Sequence, residues 1–512
     1  MTTTTTTMEM SKPQLPGEGL PIRFFIACPR SGSTLLMRIF AESPACAVTS
    51  RLILMGNADS NAAFRPDYSI LENPSRHHVF ADAVNSGKKF LISKEELGND
   101  SRKGECLYDV CPRWAYPIVR PVFIVRDPIR VFDSWKSMGW TDAGSLVDCF
   151  TNIFRMLGQA PSHDISCLLY ERLVREPEGE IRRVCDRWGV PFSKNMLHFK
   201  QPFGSSFLFA TERERSIYCE EKPPGLFETV ESSSSVIEDA PYHGLLSNTE
   251  KDNLEQHLGR LYLSCWQSDV LRLRAVLAEK TWIGFDLDDT LHEFRRASGA
   301  ATTKVLEGIS KRYGTAMSAL KNEYTRILKE KTSNAFSDGK TSFQYRKERF
   351  TSVLAHFSIP LDAVFMEELL ESYEDTLVKS LELKCGALSL LSAIKDMGKK
   401  VAIMTEGPQD AQERTIQALG ISQHVDFLAT TNHFRLTKTS GLFSAVLGHL
   451  GISAGDIAYI GDNEQRDMRP AMGEGIFAVH LAESKHVCLN SFPPQVNTLR
   501  KLEYIICSSS PC

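Results

Sequence analysis

The chain has 512 residues, of which 42% are hydrophobic and 24% are charged, and its formal net charge is −4. This composition is ordinary for a soluble globular protein, and the length predicts two to four domains. A charge this close to zero gives no overall attraction to nucleic acid or to an anionic membrane. The longest apolar runs are also too short to span a bilayer.

The N-terminal residues 1–20 begin MTTTTTTMEM and lack the apolar stretch of a signal peptide. Their low complexity predicts a disordered tail. The 13 cysteines are scattered along the chain and include no C-x-x-C pair. We therefore expect a cytoplasmic protein whose thiols are reduced.

Residues 21–278 alternate apolar runs with helical patterns, which predicts an α/β fold with a parallel sheet. The predicted strands are 21–28, 89–93, 121–125 and 166–170. After the first strand, CPRSGSTLLMRIF brings small residues to the start of a helix, where backbone N–H groups can surround an anion. The stretch lacks the lysine of a nucleotide-hydrolysing P-loop, so ATP or GTP hydrolysis is not the obvious interpretation.

The loop resembles the 5′-phosphosulfate-binding loop of the P-loop sulfotransferases, which use 3′-phosphoadenosine 5′-phosphosulfate (PAPS). A second stretch, FIVRDPIRVFDSW, resembles the 3′-phosphate-binding segment of the same family, and a third, LLYERLVREPEGEIRR, resembles a late strand and helix of its core. A guanidinium and a hydroxyl can converge on one phosphate. The resemblance implies that PAPS is bound by Arg30, Ser31, Gly32, Ser33, Thr34, Arg126 and Ser134.

Sulfuryl transfer also needs a base that takes the proton of the acceptor. Where many family members have a histidine after a strand, the stretch FLISKEELGND offers Glu95 or Glu96. Glu95 is the predicted base. Glu42, just past the first helix, is the other candidate.

From 212 to 250 the pattern weakens into a long loop that leads to an amphipathic helix. A second α/β series then occupies 279–490, with strands predicted in TWIGFD, KVAIMT, VDFLAT and IAYIGD. About a hundred mostly helical residues separate the first two strands, which is too many for a simple crossover. We interpret 294–392 as an inserted helical cap and 491–512 as a C-terminal tail. The overall prediction is two doubly wound parallel-sheet domains.

The stretch WIGFDLDDT places acidic residues where a strand ends. Asp286 and Asp288 are two residues apart, so their side chains leave an extended chain on the same side, at the edge where α/β sheets bind ligands. One carboxylate can attack phosphorus, and the other can protonate the leaving oxygen and later activate water. Mg²⁺ would hold the acids together. Asp289 is expected to cap the turn.

The ordered series of motifs resembles the haloacid dehalogenase (HAD) superfamily, with a C1-type cap. DLDDT fits motif I, Thr405 motif II, Lys438 motif III and GDNEQRD motif IV. The resemblance implies that Asp286, Asp288, Thr405 and Lys438 are catalytic, and that Asp467 supports the lysine. It also implies that Mg²⁺ is held by Asp286, Asp288 and Asp462. The acid at Asp288 favours phosphate chemistry over dehalogenation.

Together the resemblances imply a bifunctional enzyme of specialised metabolism that acts on small molecules. One half would transfer sulfuryl from PAPS, and the other would hydrolyse a phosphate monoester through an aspartyl-phosphate. Three alternatives remain open. The HAD region could be a phosphomutase or diphosphate hydrolase, it could act on the bisphosphorylated adenosine by-product, or the sulfotransferase-like region could be an inactive binding module. The sequence predicts no oligomeric state.

Overall fold

The computed structural model describes residues 19–53, 66–236, 241–331 and 336–507. Most of the predicted N-terminal tail, residues 1–18, lies outside the described residues. The chain divides into two compact units, Met1–Leu245 and Leu246–Cys512. No helix within the described ranges is both long enough and apolar enough to cross a membrane.

The first unit is built on a parallel sheet with the strand order β2-β3-β1-β4-β5. Every residue of the central strand β1 is buried, as expected for a strand covered on both faces. Four strands were predicted, and the short edge strand β2 was missed. The strands are β1 (Ile22–Ala27), β2 (Cys46–Ser50), β3 (Phe90–Glu96), β4 (Val122–Val125) and β5 (Cys167–Leu169).

The helices of this unit follow the strands in the alternation that the sequence predicted. Chain order reverses at β1, which pairs with β3 on one side and with β4 on the other. Ligands of open α/β sheets bind at such a reversal, beyond the carboxyl ends of the strands. The α-helices are α1 (Ser33–Ala41), α2 (Ser69–Glu72), α3 (His78–Asn85), α4 (Tyr116–Val119), α5 (Pro128–Ser137), α6 (Ala143–Leu157), α7 (His163–Ser166), α8 (Tyr170–Arg175), α9 (Pro177–Trp188), α10 (Glu212–Ser216) and α11 (Glu228–Ser232).

The second unit contains a parallel sheet with the order β11-β10-β9-β6-β7-β8. Strand β6 lies at the centre, and chain order reverses between β6 and β9. The predicted α/β class with two parallel sheets is therefore confirmed. The strands are β6 (Trp282–Phe285), β7 (Lys400–Thr405), β8 (Phe427–Thr430), β9 (Ile457–Gly461), β10 (Phe477–Leu481) and β11 (Gln495–Val496).

Four helices between β6 and β7 form the inserted cap, with an apolar core of their own. They are α15 (Phe294–Tyr313), α16 (Met317–Lys331), α17 (Ser342–His356) and α18 (Ala363–Lys379). The cap ends earlier than the predicted 392, because the next helix, α19 (Ala387–Asp396), packs beside β7 in the body of the unit. The remaining helices are α12 (Asn248–Leu254), α13 (Arg260–Ser264), α14 (Gln267–Ala278), α20 (Gln409–Ala418), α21 (Thr431–Phe434), α22 (Leu442–Leu450), α23 (Arg469–Gly473) and α24 (Leu499–Cys507).

Residues 491–512 were predicted to form a tail, and this expectation is corrected for 491–507, whereas 508–512 lie outside the described residues. Strand β11 extends the second sheet beside β10, and α24 packs against α14 and α19. Both α14 and α24 lie in the second unit, which therefore begins at Leu246, earlier than the expected domain boundary after 278. Buried Lys501 on α24 pairs with buried Glu255, which follows α12.

Candidate functional sites

The acidic residues of the second unit lie at the point where its strand order reverses. Asp286 directly follows β6, and its backbone N–H donates to the carbonyl of Ile460, 2.9 Å away in β9. Asp462 directly follows β9. Because the two strands are paired neighbours, the sheet itself brings these carboxylates to one edge.

Lys438 joins two of the motif residues through its ammonium group. Nζ lies 2.6 Å from Oδ1 of Asp286 and 2.6 Å from Oδ1 of Asp467, and all three side chains are buried. Burial alone would lower the pKa of Lys438, but the two carboxylates outweigh it and the pKa is raised. The lysine therefore stays charged and fixes the orientation of Asp286.

Both carboxylate oxygens of Asp467 accept hydrogen bonds, one of them from Lys438. Besides Lys438, its Oδ1 accepts a hydrogen bond from the Tyr459 hydroxyl at 3.1 Å, and Oδ2 accepts from the backbone of Asn463 at 3.1 Å. Gly461, at the end of β9, leaves space for the carboxylate of Asp467, since a Cβ at position 461 would lie 2.6 Å from Cγ of Asp467.

The acid cluster has the chemistry of a divalent-cation site. Oxygens of Asp286, Asp462 and Asp467 lie within 4.8 Å of one another. Burial raises the pKa of Asp286 well above its usual range, and burial followed by the charge of Asp467 raises the pKa of Asp462 to about 6. Carboxylate oxygens are the ligands that Mg²⁺ prefers, so Asp286 and Asp462 fit such an ion.

The side chain of Asp288 differs from its predicted role as a metal ligand. Its Oδ1 lies 3.0 Å from Nε2 of His292, and its Oδ2 accepts a hydrogen bond from Gln412 at 3.3 Å. The cluster of carboxylate oxygens found among the described residues comprises Asp286, Asp462 and Asp467 and does not include Asp288. Its neighbour Asp289 has a positive φ of 60° and accepts from the backbone of Arg295, as expected for a turn cap.

Thr405 is the last residue of β7, which pairs with β6, the strand that Asp286 follows. Its buried hydroxyl has no hydrogen-bond partner among the described residues. A buried polar group without a partner is uncommon, and it marks a place where a ligand can bind. An oxygen-rich anion such as a phosphoryl group would satisfy this hydroxyl.

In the first unit, the chain turns sharply between β1 and α1. Arg30 and Gly32 have positive φ values of 71° and 98°, and Ser31 donates its N–H to the Cys28 carbonyl at 3.2 Å. A Cβ on Gly32 would lie 2.4 Å from the Tyr170 ring. Only glycine fits there, because both the backbone conformation and the ring exclude a side chain.

The structure brings this loop together with the predicted second phosphate segment. Arg30 Nε donates to the Ser134 hydroxyl at 3.0 Å, and Arg126 donates to the Arg30 carbonyl at 3.0 Å. The Arg126 guanidinium also lies 4.4 Å from the Tyr170 ring centroid. Two buried polar atoms, Arg126 Nε and Ser31 Oγ, have no partner in the described parts of the chain. Burial, and then the charge of Arg126, lower the pKa of Arg30.

The remaining loop residues lie at the start of α1. Thr34 is half-buried in its first turn, and the buried Ser33 donates its hydroxyl to Oε1 of Glu96 at 2.7 Å. The backbone and side chains from Arg30 to Thr34 thus line one loop at the carboxyl end of β1, where a phosphate could bind.

The predicted base, Glu95, is corrected by the structure. Successive side chains of β3 point to opposite faces, and the carboxylate of Glu95 accepts hydrogen bonds from the backbone of Leu52 and Ile53 instead of reaching the loop. Burial raises the pKa of Glu95 to about 7. Glu42 is also engaged elsewhere, accepting from the backbone of Lys200.

Glu96 is the carboxylate that meets the loop. Besides Ser33, it contacts Lys94, whose Nζ lies 3.4 Å from Oε2. Burial alone would raise the pKa of Glu96, but Lys94 and the Ser33 hydroxyl outweigh it and the pKa is lowered.

Sequence reasoning missed three residues that contact the candidate sites, namely Tyr170, His292 and Gln412. None of the three has a role in the motifs named above. His292 alone carried a signal, because it is a histidine four residues after Asp288.

Comparison with known families matches two parts of the chain. Residues 283–480 match the haloacid dehalogenase-like hydrolase model, and residues 113–194 match a sulfotransferase family model. The second match contains Arg126 and Ser134 but begins after the loop at 28–34. Both resemblances are therefore confirmed, and they indicate an enzyme with a HAD hydrolase domain and a sulfotransferase-like domain.

Two curated relatives match the same halves. A glyceraldehyde 3-phosphate phosphatase from Methanocaldococcus jannaschii is 25% identical over 228 residues, which are 43% of this chain and 93% of the relative. A putative protein-tyrosine sulfotransferase from Caenorhabditis briggsae is 26% identical over 200 residues, which are 35% of this chain and 68% of the relative. Among solved structures, a putative HAD-hydrolase from Bacillus subtilis bound to magnesium is 19% identical, with a TM-score of 0.36. The match covers 44% of this chain and 99% of that chain.

Proposed function

We propose that the second unit hydrolyses small phosphate monoesters through a covalent aspartyl-phosphate. The observation that carries this proposal is the buried chain of contacts from Asp286 through Lys438 to Asp467, beside a Thr405 hydroxyl that has no hydrogen-bond partner in the part of the chain that the structure describes. The carboxylate of Asp286 attacks phosphorus while the ester oxygen leaves. Lys438 orients the nucleophile and stabilises charge on the phosphoryl oxygens, and Thr405 donates to one of them.

Asp288 is the group proposed to move protons. It gives a proton to the leaving oxygen in the first half of the reaction, so that an alcohol departs. In the second half it takes a proton from the water that attacks the aspartyl-phosphate, which releases phosphate and restores Asp286. Asp286 and Asp462 would hold Mg²⁺, which supplies positive charge near the phosphoryl group when bound.

Phosphate release measured on a panel of small phosphate esters tests the proposed hydrolase. The panel includes glyceraldehyde 3-phosphate, the substrate in the name of one relative. We expect release that requires Mg²⁺ and is lost in Asp286→Asn. The matched control is Asp375→Asn, an exposed aspartate on α18 that should change nothing. Release that survives in Asp286→Asn would contradict the proposed nucleophile.

For the first unit we propose sulfuryl transfer from PAPS to a hydroxyl or amine of a small molecule. The observation that favours it is the convergence of Arg30, Ser134 and Arg126 on one loop. Two buried polar atoms there, Ser31 Oγ and Arg126 Nε, have no hydrogen-bond partner within the described ranges. Glu96 takes the proton of the acceptor, a new S–O bond (hydroxyl acceptor) or S–N bond (amine acceptor) forms, and the S–O bond to the donor phosphate breaks. The other product is adenosine 3′,5′-bisphosphate.

Calorimetric titration with adenosine 3′,5′-bisphosphate tests this half without knowledge of the acceptor. Arg126→Leu should abolish binding, whereas Arg182→Leu, which removes an exposed arginine on α9, should not. Transfer is then assayed with radiolabelled PAPS and a panel of phenols, alcohols and amines, including a tyrosine peptide. Binding without any transfer would favour the inactive binding module.

A further inference from the structure

We propose that His292 is a positioning residue that holds Asp288 in the orientation needed to protonate the leaving group. The inference rests on the proposed phosphatase activity of the second unit. His292 is completely buried, and its Nε2 lies 3.0 Å from Oδ1 of Asp288. Sequence reasoning gave it no role.

The contacts of Asp288 determine which of its oxygens can carry the proton. An Nε2–H of His292 that donates to Oδ1 leaves the acidic hydrogen of a protonated Asp288 on Oδ2. That oxygen faces Gln412, whose amide nitrogen is 3.3 Å away, a longer and weaker contact. The contact with His292 therefore holds Oδ1 in place, and Oδ2 is the oxygen that can donate its proton to the ester.

The backbone explains why His292 can hold this position firmly. His292 lies on the first of the two segments that connect the cap to the body of the unit, and it forms an isolated bridge with Leu383 on the second. Hydrogen bonds from Glu293 to the Glu382 carbonyl at 2.9 Å and from Lys384 to the Leu291 carbonyl at 3.0 Å flank it. A ring anchored on these paired segments has little freedom to turn away.

Burying the imidazole of His292 costs free energy that its contact with Asp288 only partly offsets. Nδ1 of His292 has no hydrogen-bond partner among the described residues, so the ring keeps one unsatisfied buried nitrogen. Such a group costs about 1–3 kcal/mol. A leucine would fill the space without that cost, which is why the contact with Asp288 points to a function in the reaction rather than to packing.

The leaving group distinguishes a positioning role from a structural one. An alkyl ester such as glycerol phosphate releases a strongly basic alkoxide and needs the proton of Asp288. An aryl ester such as 4-nitrophenyl phosphate releases a weakly basic phenolate that departs without it. Loss of correct positioning should therefore affect kcat/KM for the alkyl ester far more than for the aryl ester.

The experiment compares kcat/KM of the full chain for both esters, in the wild type and in variants at His292 and His449. His292→Leu should lose about 10- to 100-fold on the alkyl ester, the usual effect of removing a partner that orients a site ligand, with a clearly smaller loss on the aryl ester. His292→Gln keeps an N–H near the position of Nε2 and should recover most of the activity. His449→Leu, at an exposed histidine packed on Phe427 and Phe434, is the matched control and should behave like wild type.

The outcomes separate this inference from the function on which it rests. If the wild type hydrolyses neither these two esters nor any other ester of the panel, the proposed phosphatase is wrong. If the wild type is active but His292→Leu loses the same factor on both esters, the positioning role is overturned. Should His292→Leu fail to fold, His292→Gln and His292→Asn decide the matter, because the shorter asparagine cannot bring its N–H to Asp288. Equal kcat/KM ratios of alkyl to aryl ester in those two variants would also overturn it.

Discussion

Replacing Asp462 with asparagine should make the metal-free protein more stable at neutral pH. Burial, and then the charge of Asp467, raise the pKa of Asp462 from 3.8 to about 6. The folded chain therefore binds more protons than the unfolded chain between these values, and stability falls as pH rises through about 6. The shift from 3.8 to about 6 corresponds to about 3 kcal/mol that the ionised carboxylate costs the fold.

The neutral amide removes this cost at every pH. Without Mg²⁺ at pH 7, Asp462→Asn should raise the unfolding temperature of the second unit by about 5–10 °C, from about 3 kcal/mol and the response of domains of this size. The lost contact with Arg295 subtracts little, because that arginine is largely exposed and 3.5 Å away. The advantage should shrink as pH is lowered toward 5, where the wild-type carboxyl becomes protonated.

Differential scanning calorimetry of the full chain, with EDTA or with Mg²⁺, measures both effects. The transition of the second unit is the one that Mg²⁺ raises in the wild type, since a ligand that binds the folded state stabilises it. That rise should largely disappear in Asp462→Asn. The exposed control Asp375→Asn should stay within about 0.5 kcal/mol of wild type. An Asp462→Asn protein no more stable than wild type at pH 7 without Mg²⁺ would show that the ionised Asp462 carboxylate does not destabilise the fold.

Three further substitutions follow from individual contacts. Lys438→Met removes the ammonium group between two buried carboxylates, so calorimetry at pH 7 should show a loss of about 3–5 kcal/mol and phosphate release should stop. Gly461→Ala places a Cβ 2.6 Å from Cγ of Asp467 and must displace that carboxylate, which should lower kcat for phosphate release. Gly32→Ala places a Cβ 2.4 Å from the Tyr170 ring at a φ of 98°, so titration should show lost binding of adenosine 3′,5′-bisphosphate while phosphate release is unchanged. Wild-type behaviour in any of these assays would contradict the contact concerned.

The strand-end residues of the second unit could be predicted because their positions follow from sheet geometry. Parallel strands end at one edge, so Asp286, Thr405 and Asp462 had to lie near one another once their strands were recognised. Lys438 and Asp467 lie outside strands, and only the order of the motifs connected them to the site. The structure brings both to Asp286 through the shared ammonium contact.

What escaped prediction depends on side-chain direction and on packing between distant segments. Glu95 and Glu96 are adjacent, and sequence alone does not decide which of the two faces the loop, since a register change of one residue exchanges the faces of a strand. The final helix α24 was taken for a tail because its apolar residues become meaningful only when they meet α14 and α19. His292 was overlooked for a local reason, because only the conformation of the turn brings its ring to Asp288, four residues earlier.

Direct detection of the covalent intermediate tests the central proposal, an aspartyl-phosphate on Asp286. The protein is mixed with its best phosphate ester, quenched within milliseconds, reduced with borohydride and digested for mass spectrometry. Reduction converts a phosphorylated aspartate to homoserine, so we expect homoserine at position 286 in the wild type and none in Asp286→Asn. Steady phosphate release with an unmodified Asp286, or with homoserine at another aspartate, would contradict it.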